Sequence, residues 1–410
     1  MIRNIHMTYI TKYILGCIGV FFTLIGCVEP FDFETETFES ALVVDATITN
    51  EMKQQQVRLS RTYMLDVDGP VMETNAQVRV EETGGLVYEF SEIAPGLYGS
   101  DIEFGASPEK EYILKVTLAN GKRYVSGSQK TPQIAQIDNV YAQRGTNSAG
   151  INGMSIYIDS FDPTGNADFF RYMYEETYKI IAPEYKDIDL EVTGTEYPDC
   201  SVAEVPRPAG EEVCYATVLS NTINQFSLND NIEDRITKHE VRFIRSDNYI
   251  ISHRYSILVK QFVQNPDAFF YFETLSAFAG EDNLFSQVQA GYIPTNMISE
   301  NNSEEKILGF FEVATVSEQR LYFNYTDFYP NEGLPPYVSN CRPYAPDLVQ
   351  TGLPPSCGGL ILGLILDDIV YWDENTGQIP NQTGPFLMVQ KPCGHCTALG
   401  KSEVPNFWID

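Results

Sequence analysis

Histidine is scarce in this 410-residue chain, which contains only four. Three of them, His239, His253 and His395, follow the N-terminal apolar segment, so little material exists for histidine-based catalysis. The sequence has no Gly-x-Ser-x-Gly, no His-Glu-x-x-His and no P-loop motif. The common sequence signatures of serine hydrolases, zinc proteases and nucleotide-binding enzymes are therefore missing.

Basic residues are also few, with 27 Lys plus Arg against 56 Asp plus Glu. Without residues 1–26, which contain Arg3 and Lys12 and no acid, the count is 25 against 56 and the net charge is −31. Nucleic acid is excluded as a partner, because phosphate binding needs a basic footprint. Such a charge is typical of a solvated surface, and the alternatives are a basic partner or bound divalent cations.

The N-terminus has the layout of a secretory signal peptide over residues 1–26. Two basic residues lead into the apolar run Tyr13 to Ile25, which is shorter than the roughly 20 residues that a transmembrane helix needs. Leu24-Ile25-Gly26-Cys27 suits a lipoprotein signal peptidase, so Cys27 is the predicted lipid anchor. The alternative is an uncleaved signal-anchor with a buried cysteine, and both interpretations place the rest of the chain outside the cytoplasm.

An acidic tether is predicted for residues 27–40, directly behind the anchor. Glu29, Asp32, Glu34 and Glu36 resemble the surface-export signal of Bacteroidota lipoproteins. Several acyl chains hold a lipoprotein stably on a membrane, since each buried methylene adds about 0.8 kcal/mol. We therefore expect an outer-membrane location, lipid-anchored and facing the cell surface, while the alternative is a tether that is merely solvated.

The remaining length predicts two domains in a mainly β fold. Residues 41–132 alternate apolar and polar positions between turn residues, which predicts an immunoglobulin-like β sandwich. Asn120-Gly121 predicts a type I′ hairpin turn after the alternating run Tyr112 to Leu118. Residues 133–410 predict a larger β-rich domain, whose strands include Leu360 to Leu366.

One amphipathic helix is expected in the second domain. Asn265 can cap it, Pro266 suits its first turn, and Gly280 can end it. Its apolar stripe is more typical of a core than of a ligand site, and consists of Phe269, Phe272, Leu275 and Ala279.

Six cysteines beyond the anchor predict disulfides in an exported protein. Two acidic loops, 182–215 and 328–357, contain two cysteines each and are expected to be fastened surface loops. Cys200 is expected to pair with Cys214. For the other four cysteines two patterns stay open, namely Cys341 with Cys357, or crossing pairs with Cys393 and Cys396.

Cys393-Gly394-His395-Cys396 matches the active-site tetrapeptide of disulfide isomerases. The long helix and the βαβ unit of that fold are missing around it, so structural disulfides are the preferred interpretation. A zinc site built from the four C-terminal cysteines is the alternative.

Carboxylate pairs leave an enzyme as an alternative function. Asp367 with Asp368 and Asp373 with Glu374 have the residue types of a glycoside hydrolase, although pairs arise by chance in so acidic a chain. Asp66 to Gly69 and Asp373 to Gly377 resemble fragments of calcium loops without the downstream bidentate Glu. No cofactor is therefore predicted, and calcium stays unsupported.

Several segments together resemble a Bacteroidota lipoprotein family catalogued as domain of unknown function 4249. They are Ala41 to Ala46, Gly96 to Tyr98, the Asn265-Pro266 helix with Leu284-Phe285, Ile307 to Phe311, and Cys393 to Trp408 with its Pro405-Asn406-Phe407-Trp408 ending. The chain departs from the family pattern at Pro294-Thr295-Asn296, where a Gly-Asn pair is usual, and its loop between Cys341 and Cys357 is long.

The resemblance implies a role at the outer membrane, because genes of this family commonly lie beside TonB-dependent receptors. It implies a non-enzymatic accessory subunit that docks on such a β-barrel transporter and helps to capture or gate a substrate. The alternatives are a surface glycan hydrolase and a scaffold for outer-membrane assembly or adhesion. If the chain binds a ligand itself, the first candidates are aromatic residues in the acidic loops, namely Tyr185, Tyr197, Tyr329 and Tyr337, which can equally pack their own loops.

Overall fold

The computed structural model describes residues 40–64, 69–229, 235–279 and 293–410. The predicted signal peptide, Cys27, nearly all of the tether and residues 66–68 lie outside these ranges. Strands dominate the described residues, which confirms the mainly β class. The structure divides the chain into two units, and the unit described below comprises residues 41–62 and 69–410.

The N-terminal part consists of short strands with the predicted alternation. In β2 and β4, Val57, Leu59, Val78 and Val80 are buried while the residues between them face outward or lie half-buried. Burial of each such side chain contributes about 1.5–3 kcal/mol, and this sets which face of each strand points inward. The strands are β1 Leu42–Thr49, β2 Gln56–Arg61, β3 Val71–Met72, β4 Gln77–Glu82, β5 Val87–Ala94, β6 Leu97–Ser100, β7 Glu111–Thr117, β8 Arg123–Ser126 and β9 Gln129–Lys130.

The Asn-Gly hairpin joins β7 to β8 as predicted, but its turn type differs. Gly121 has a positive φ of 84°, whereas Asn120 is not among the residues with positive φ. The amide of Gly121 donates to the carbonyl of Leu118, and the amide of Leu118 donates to the carbonyl of Lys122. The loop is therefore a type I turn followed by a left-handed glycine, because one residue more than a type I′ hairpin allows separates the strands.

The middle of the chain forms longer strands and a separate three-stranded sheet in the order β10-β11-β17. The strands β13 and β14 form a hairpin of their own. The elements are β10 Gln136–Thr146, β11 Asn152–Phe161, β12 Phe169–Ile181, β13 Ile188–Glu196, β14 Asp199–Pro206, β15 Val213–Leu219, β16 Asn224–Ser227, β17 Arg235–Arg245, a 3-10 helix Tyr249–Ile251 and β18 Arg254–Val263.

The C-terminal part contains the helices. They are α1 Pro266–Ala279, α2 Tyr325–Phe328, α3 Gly359–Ile365, α4 Lys391–Gly394 and a 3-10 helix Cys396–Ala398. Between them lie β19 Met297–Ser299, β20 Ile307–Asn324, β21 Val349–Gln350, β22 Ser356–Cys357, β23 Ile369–Glu374 and β24 Phe386–Gln390.

Strand β20 lies between β18 and β1 inside the largest sheet, whose order is β15-β12-β18-β20-β1-β2-β6-β5-β4-β7-β8-β19. It runs parallel to β1, with Gly309 opposite Val44. Gly309 has a φ of 91°, and a Cβ there would lie 1.8 Å from the carbonyl oxygen of Val44. Only glycine allows the two strands to approach this closely.

Two large hydrophobic cores lie on either side of the β1–β20 pairing. The first core contains buried residues from β1 to β8 together with Met297, Ile307, Phe311 and Val313. The second core begins at Ala135 and reaches Cys396. Most members of the first core precede residue 132 and all members of the second follow it, while β20 contributes to both cores. The domain boundary near residue 132 stays a prediction.

Helix α1 begins at Pro266, as the sequence predicts, and its last described residue is Ala279. Phe269 is buried and its ring centroid lies 4.9 Å from that of Phe169 on β12. The Asn265 amide donates to the carbonyl of Lys130 at 2.7 Å, which ties the start of the helix to β9. Gly280 and Leu284-Phe285 lie outside the described residues.

The strand predicted at Leu360 to Leu366 is instead helix α3. Leu360 and Ile361 are both buried, Leu360 in a small third core with Ile369, while Leu362 and Ile365 face outward. A short run that is apolar on every side has no period by which a helix can be distinguished from a buried strand. Gly363 allows the helix to pack against Ile369, since a Cβ there would lie 2.5 Å from the Ile369 Cδ1.

Candidate functional sites

Three disulfides fasten the C-terminal part of the chain, and they connect distant segments. The pairs are Cys200–Cys357, Cys214–Cys396 and Cys341–Cys393. The predicted pairing of Cys200 with Cys214 is wrong, because the β13–β14 hairpin and β15 direct these two residues toward different partners. Neither of the two patterns left open for the other four cysteines occurs as a whole, because only Cys341 and Cys393 bond to each other, while Cys357 and Cys396 bond to Cys200 and Cys214. The two acidic loops are thus fastened to other segments and not closed on themselves.

The Cys-x-x-Cys segment is divided between two of these disulfides. Cys393 and Cys396 are both fully buried and bond to different partners, so they do not form the internal pair on which an isomerase depends. The same bonds occupy the thiols that a zinc site would need. Among the described residues, no group of three or more His, Cys, Asp or Glu side chains is placed to hold a metal ion.

Arg207 binds the Cys-x-x-Cys segment through a hydrogen bond. Its guanidinium donates to the Gly394 carbonyl at 2.5 Å and to the Asp189 carboxylate at 3.0 Å, and it lies over the Tyr185 ring. The Arg207 side chain is only 1% exposed, so these charge-assisted bonds replace its lost hydration. His395 pairs with Glu211 through a 2.7 Å contact. The tetrapeptide Cys393-Gly394-His395-Cys396 is therefore held in place by structural contacts with other segments.

Three of the four candidate tyrosines pack within the protein. Tyr329 is buried, stacks on Tyr325 at a centroid distance of 4.6 Å and lies under the Arg144 guanidinium. Tyr185 packs against the second core beneath Arg207. These contacts leave neither ring free to bind a ligand with its face.

The remaining two candidates are Tyr337, which is the third tyrosine packed within the protein, and Tyr197, which is exposed. Tyr337 donates its hydroxyl hydrogen bond to the Pro392 carbonyl at 3.0 Å, and burial raises the pKa of Tyr337 to about 12. Tyr197 is 51% exposed in the turn between β13 and β14. The structure thus does not bring the four candidates together into one site.

The carboxylate pairs named from the sequence lie on open surface. Asp367 and Asp368 follow helix α3, both are exposed, and Asp367 pairs with Lys391. Asp373 and Glu374 are exposed at the end of β23. All four carboxylates are thus exposed to solvent.

The calcium-loop fragment at residues 373–377 is a turn held by Asn375. Its amide donates to the carbonyls of Gln382 and Gly384 at 3.2 and 2.7 Å. The other fragment, from Asp66 onward, lies outside the described residues except for Gly69.

A buried ion pair lies beneath helix α1. Arg171 on β12 donates to the carboxylate of Glu312 on β20 at 2.6 Å, and the side chains are 10% and 1% exposed. Glu312 also accepts hydrogen bonds from Thr47 and Gln264. The hydrogen-bonding capacity of this carboxylate is thus taken up by the protein itself.

Aromatic rings enclose the cation of this pair. The Arg171 guanidinium lies 4.6 Å from the Phe262 ring centroid and 4.4 Å from that of Phe272. Phe272 belongs to helix α1, so the helix is packed against the sheet through this cation–π contact. The stripe predicted as core therefore contacts a charged group as well as apolar ones.

Next to this pair, four side chains form a row across four adjacent strands, which we name the cross-strand row. The row consists of Phe310 on β20, Asp45 on β1, Arg58 on β2 and Leu97 on β6, which are successive register partners. Tyr271 of helix α1 stacks on Phe310 at a centroid distance of 5.0 Å. The row therefore has an aromatic end and two opposite charges at its centre.

Asp45 and Arg58 keep their polar groups open. Within the described part of the chain, neither side chain makes a hydrogen bond or an ion pair within 4 Å. The Asp45 carboxyl is reachable by solvent but has protein on most sides, and this burial raises its pKa. The nearby charges of Arg58 and Arg171 oppose that effect without cancelling it.

Two cavities adjoin the row on the surface beside helix α1. The polar one measures about 390 Å³ and is lined by Asp45, Thr47, Lys53, Gln54, Gln56, Arg58 and Leu97. The aromatic one measures about 380 Å³ and is lined by Asp267, Phe270, Tyr271, Thr274, Pro294, Thr295, Asn296 and Phe310. Because Asp45 and Phe310 are register partners, the two cavities lie on either side of this pair.

A family model described as a domain of unknown function (DUF4249) matches residues 28–320, which are 293 of the 410 residues. The chain belongs to the DUF4249 family. Four segments on which the resemblance rested lie within this range, whereas Cys393 to Trp408 lies beyond it. No curated protein matches this DUF4249 chain.

Among solved structures, the DUF4249 chain is similar to one described as a biofilm associated protein, B domain. The identity is 8%, the alignment covers 70% of this chain and 86% of that one, and the TM-score is 0.13. A similarity of this size says nothing about function. Within the described residues, no helix of the DUF4249 protein has the length and apolar character needed to cross a bilayer.

Two features of the DUF4249 protein were missed from the sequence. The cross-strand row lies inside the family match and combines residues from three segments of the resemblance, namely Ala41 to Ala46, Gly96 to Tyr98 and Ile307 to Phe311. Its only signal in the sequence was a charge, Asp45, inside an otherwise apolar strand. Helix α3 lies outside the match and presents Leu362, Ile365 and Leu366 at 56–59% exposure.

Proposed function

We propose that this protein is a lipid-anchored outer-membrane lipoprotein that docks, without catalysis of its own, on a TonB-dependent transporter and helps to capture or gate its substrate. The family resemblance supplies the transporter as the partner. The observation that carries the docking is the outward face of helix α3, where three aliphatic side chains lie exposed at positions 362, 365 and 366. Exposed apolar clusters of this kind mark interaction surfaces.

The helix is well suited to hold these side chains in place for a partner. Leu360 fixes its inner face in the third core, Ile361 is also buried, and the Cys200–Cys357 disulfide ends one residue before the helix cap Gly358. A surface that is already ordered loses little conformational entropy on binding. Asp367 and Asp368 border the patch, which favours a protein surface with basic residues over an anionic lipid surface.

The test is a pull-down from native outer membranes in mild detergent, with a C-terminal tag and mass spectrometry of co-purifying β-barrels. The wild-type protein is expected to retain a TonB-dependent receptor in stoichiometric amount. The variant Leu362→Glu/Ile365→Glu is expected to lose it, because each carboxylate would be desolvated at the interface. The matched control is Leu86→Glu, since Leu86 has a similar exposure of 59% but lies in the N-terminal part.

A second control, Cys27→Ala, removes the predicted anchor and should release the protein from the membrane fraction. Equal recovery of the receptor by wild type and by the α3 variant would reject helix α3 as the docking surface. Recovery of no barrel at all would reject the accessory role.

A further inference from the structure

The centre of the cross-strand row contains two opposite charges that the protein itself does not neutralise. Asp45 and Arg58 are directly opposed on β1 and β2, so their Cβ atoms lie about 4.5–5.5 Å apart. Opposed charges at such a spacing commonly form an ion pair, but here they do not. A single small ligand can therefore reach both groups.

The neighbouring charges cannot compete for such a ligand. Glu312 is occupied by Arg171, Gln264 and Thr47. Glu51 pairs with Lys53 and Lys260, and although burial alone would raise the pKa of Glu51, these cations lower it to about 2. Of the charged side chains that line the polar cavity, Asp45 and Arg58 make no ion pair, whereas Lys53 pairs with Glu51.

The aromatic end of the row lies next to Asp45 and away from Arg58. Phe310 is the register partner of Asp45, and Tyr271 stacks on it at the wall of the second cavity. Phe270 in the same wall is 52% exposed. An apolar group joined closely to the partner of Asp45 would therefore lie in the aromatic cavity.

We propose that this groove binds a short zwitterionic peptide, with its terminal ammonium at Asp45, its terminal carboxylate at Arg58 and the apolar side chain of its first residue against Tyr271 and Phe310. An extended dipeptide spans about 7 Å between its termini, which exceeds the Cβ separation of about 4.5–5.5 Å between Asp45 and Arg58, and the long Arg58 side chain can make up this difference. The two cavities together suit a ligand of this size. The inference rests on the proposed function only for its place in substrate capture, since binding itself needs no transporter.

The experiment is isothermal titration calorimetry of the purified full-length protein in detergent with the dipeptide Phe-Gly. Three related probes change one group each: N-acetyl-Phe-Gly removes the ammonium, Phe-Gly amide removes the carboxylate, and Gly-Phe moves the ring to the second residue. Each change is expected to weaken binding about tenfold, since each removes one charge-assisted or apolar contact.

Variants of the two charged residues give the decisive comparison. Asp45→Asn should weaken Phe-Gly about tenfold but leave N-acetyl-Phe-Gly unchanged. Arg58→Gln should weaken Phe-Gly likewise and leave the amide unchanged. The matched control Glu89→Gln changes an exposed carboxylate on β5 and should bind every probe like the wild type.

Binding of Phe-Gly that is insensitive to Asp45→Asn and Arg58→Gln would overturn the proposal, as would no measurable heat with any of the four probes. Displacement of Phe-Gly by a neutral oligosaccharide such as maltotetraose would assign the groove to glycans and overturn it too. The transporter proposal is tested separately: the Asp45→Asn variant should still co-purify the receptor, and the α3 variant should still bind Phe-Gly.

Discussion

Arg171 and Glu312 form a 2.6 Å ion pair that is almost fully buried between the main sheet and helix α1. Removing one partner of such a pair leaves an uncompensated charge, which costs about 3–5 kcal/mol. We therefore expect Arg171→Met to lower the free energy of unfolding by this amount in urea denaturation followed by circular dichroism. Part of the loss comes from the contacts of the guanidinium with Phe262 and Phe272.

The second variant, Arg171→Met/Glu312→Leu, should recover much of this loss, because no charge then remains buried. The exposed pair Arg245–Asp247 is the control, and Arg245→Gln should leave the unfolding midpoint unchanged. A double variant that is as unstable as the single one would show that the charges are not the cause.

The disulfide pattern predicts free thiols in double variants. Changing Cys214 and Cys396 to Ser removes both halves of one bond, so no thiol is added relative to wild type. Changing Cys200 and Cys214 to Ser removes halves of two bonds and should add two thiols, on Cys357 and Cys396. Titration with a thiol reagent in denaturant counts them.

In the wild-type protein, each of these two disulfides also constrains a long stretch of the unfolded chain. The two bonds close 157 and 182 positions of sequence, so loss of either should cost about 2–5 kcal/mol. Equal thiol counts in the two double variants would contradict the pattern.

His239 makes the stability depend on pH between about 4 and 6.5. Burial lowers its pKa from 6.5 to about 4, against the rings of Tyr172 and Phe226. In this window the unfolded chain binds more protons, so stability falls as pH falls, by up to about 3 kcal/mol at pH 4. We expect His239→Gln to reduce the difference between unfolding free energies measured at pH 7 and pH 4.5.

The control for this variant is Phe226→Leu, which removes the neighbouring ring and leaves the titrating group. It should lower stability at both pH values and reduce the wild-type difference only in part, because it weakens the burial that lowers the pKa of His239 but keeps the imidazole. His253, whose pKa burial also lowers, contributes equally to wild type and both variants. An unchanged pH difference in His239→Gln would exclude His239 as the source.

Local features of the fold were predictable because they depend on neighbours in sequence. Alternation placed Val57, Leu59, Val78 and Val80 inward, and Pro266 located the start of helix α1. The prediction at Leu360 to Leu366 was wrong because an all-apolar run lacks a period.

Features that depend on distant neighbours were not predictable. The disulfide partners are set by where the β13–β14 hairpin and β15 lie against the C-terminal segment, which spacing in sequence does not encode. The cross-strand row exists because β1 pairs with β20, and no local pattern specifies that register. Asp45 was therefore visible as an unusual charge, while its neighbours Phe310 and Arg58 were not.

The parallel pairing of β1 with β20 also determines when the main sheet can form, because β1 has no partner on that edge until β20 is available. Thr47 and Glu312 are bonded to each other although 265 positions separate them. A polypeptide crossing a membrane N-terminus first exposes the β20-facing edge of β1 until almost four-fifths of its length has emerged. Contacts this distant in sequence slow folding, and an open strand edge invites pairing with other chains. If the chain is exported as we propose, its early strands therefore need to be shielded from other chains until β20 has emerged.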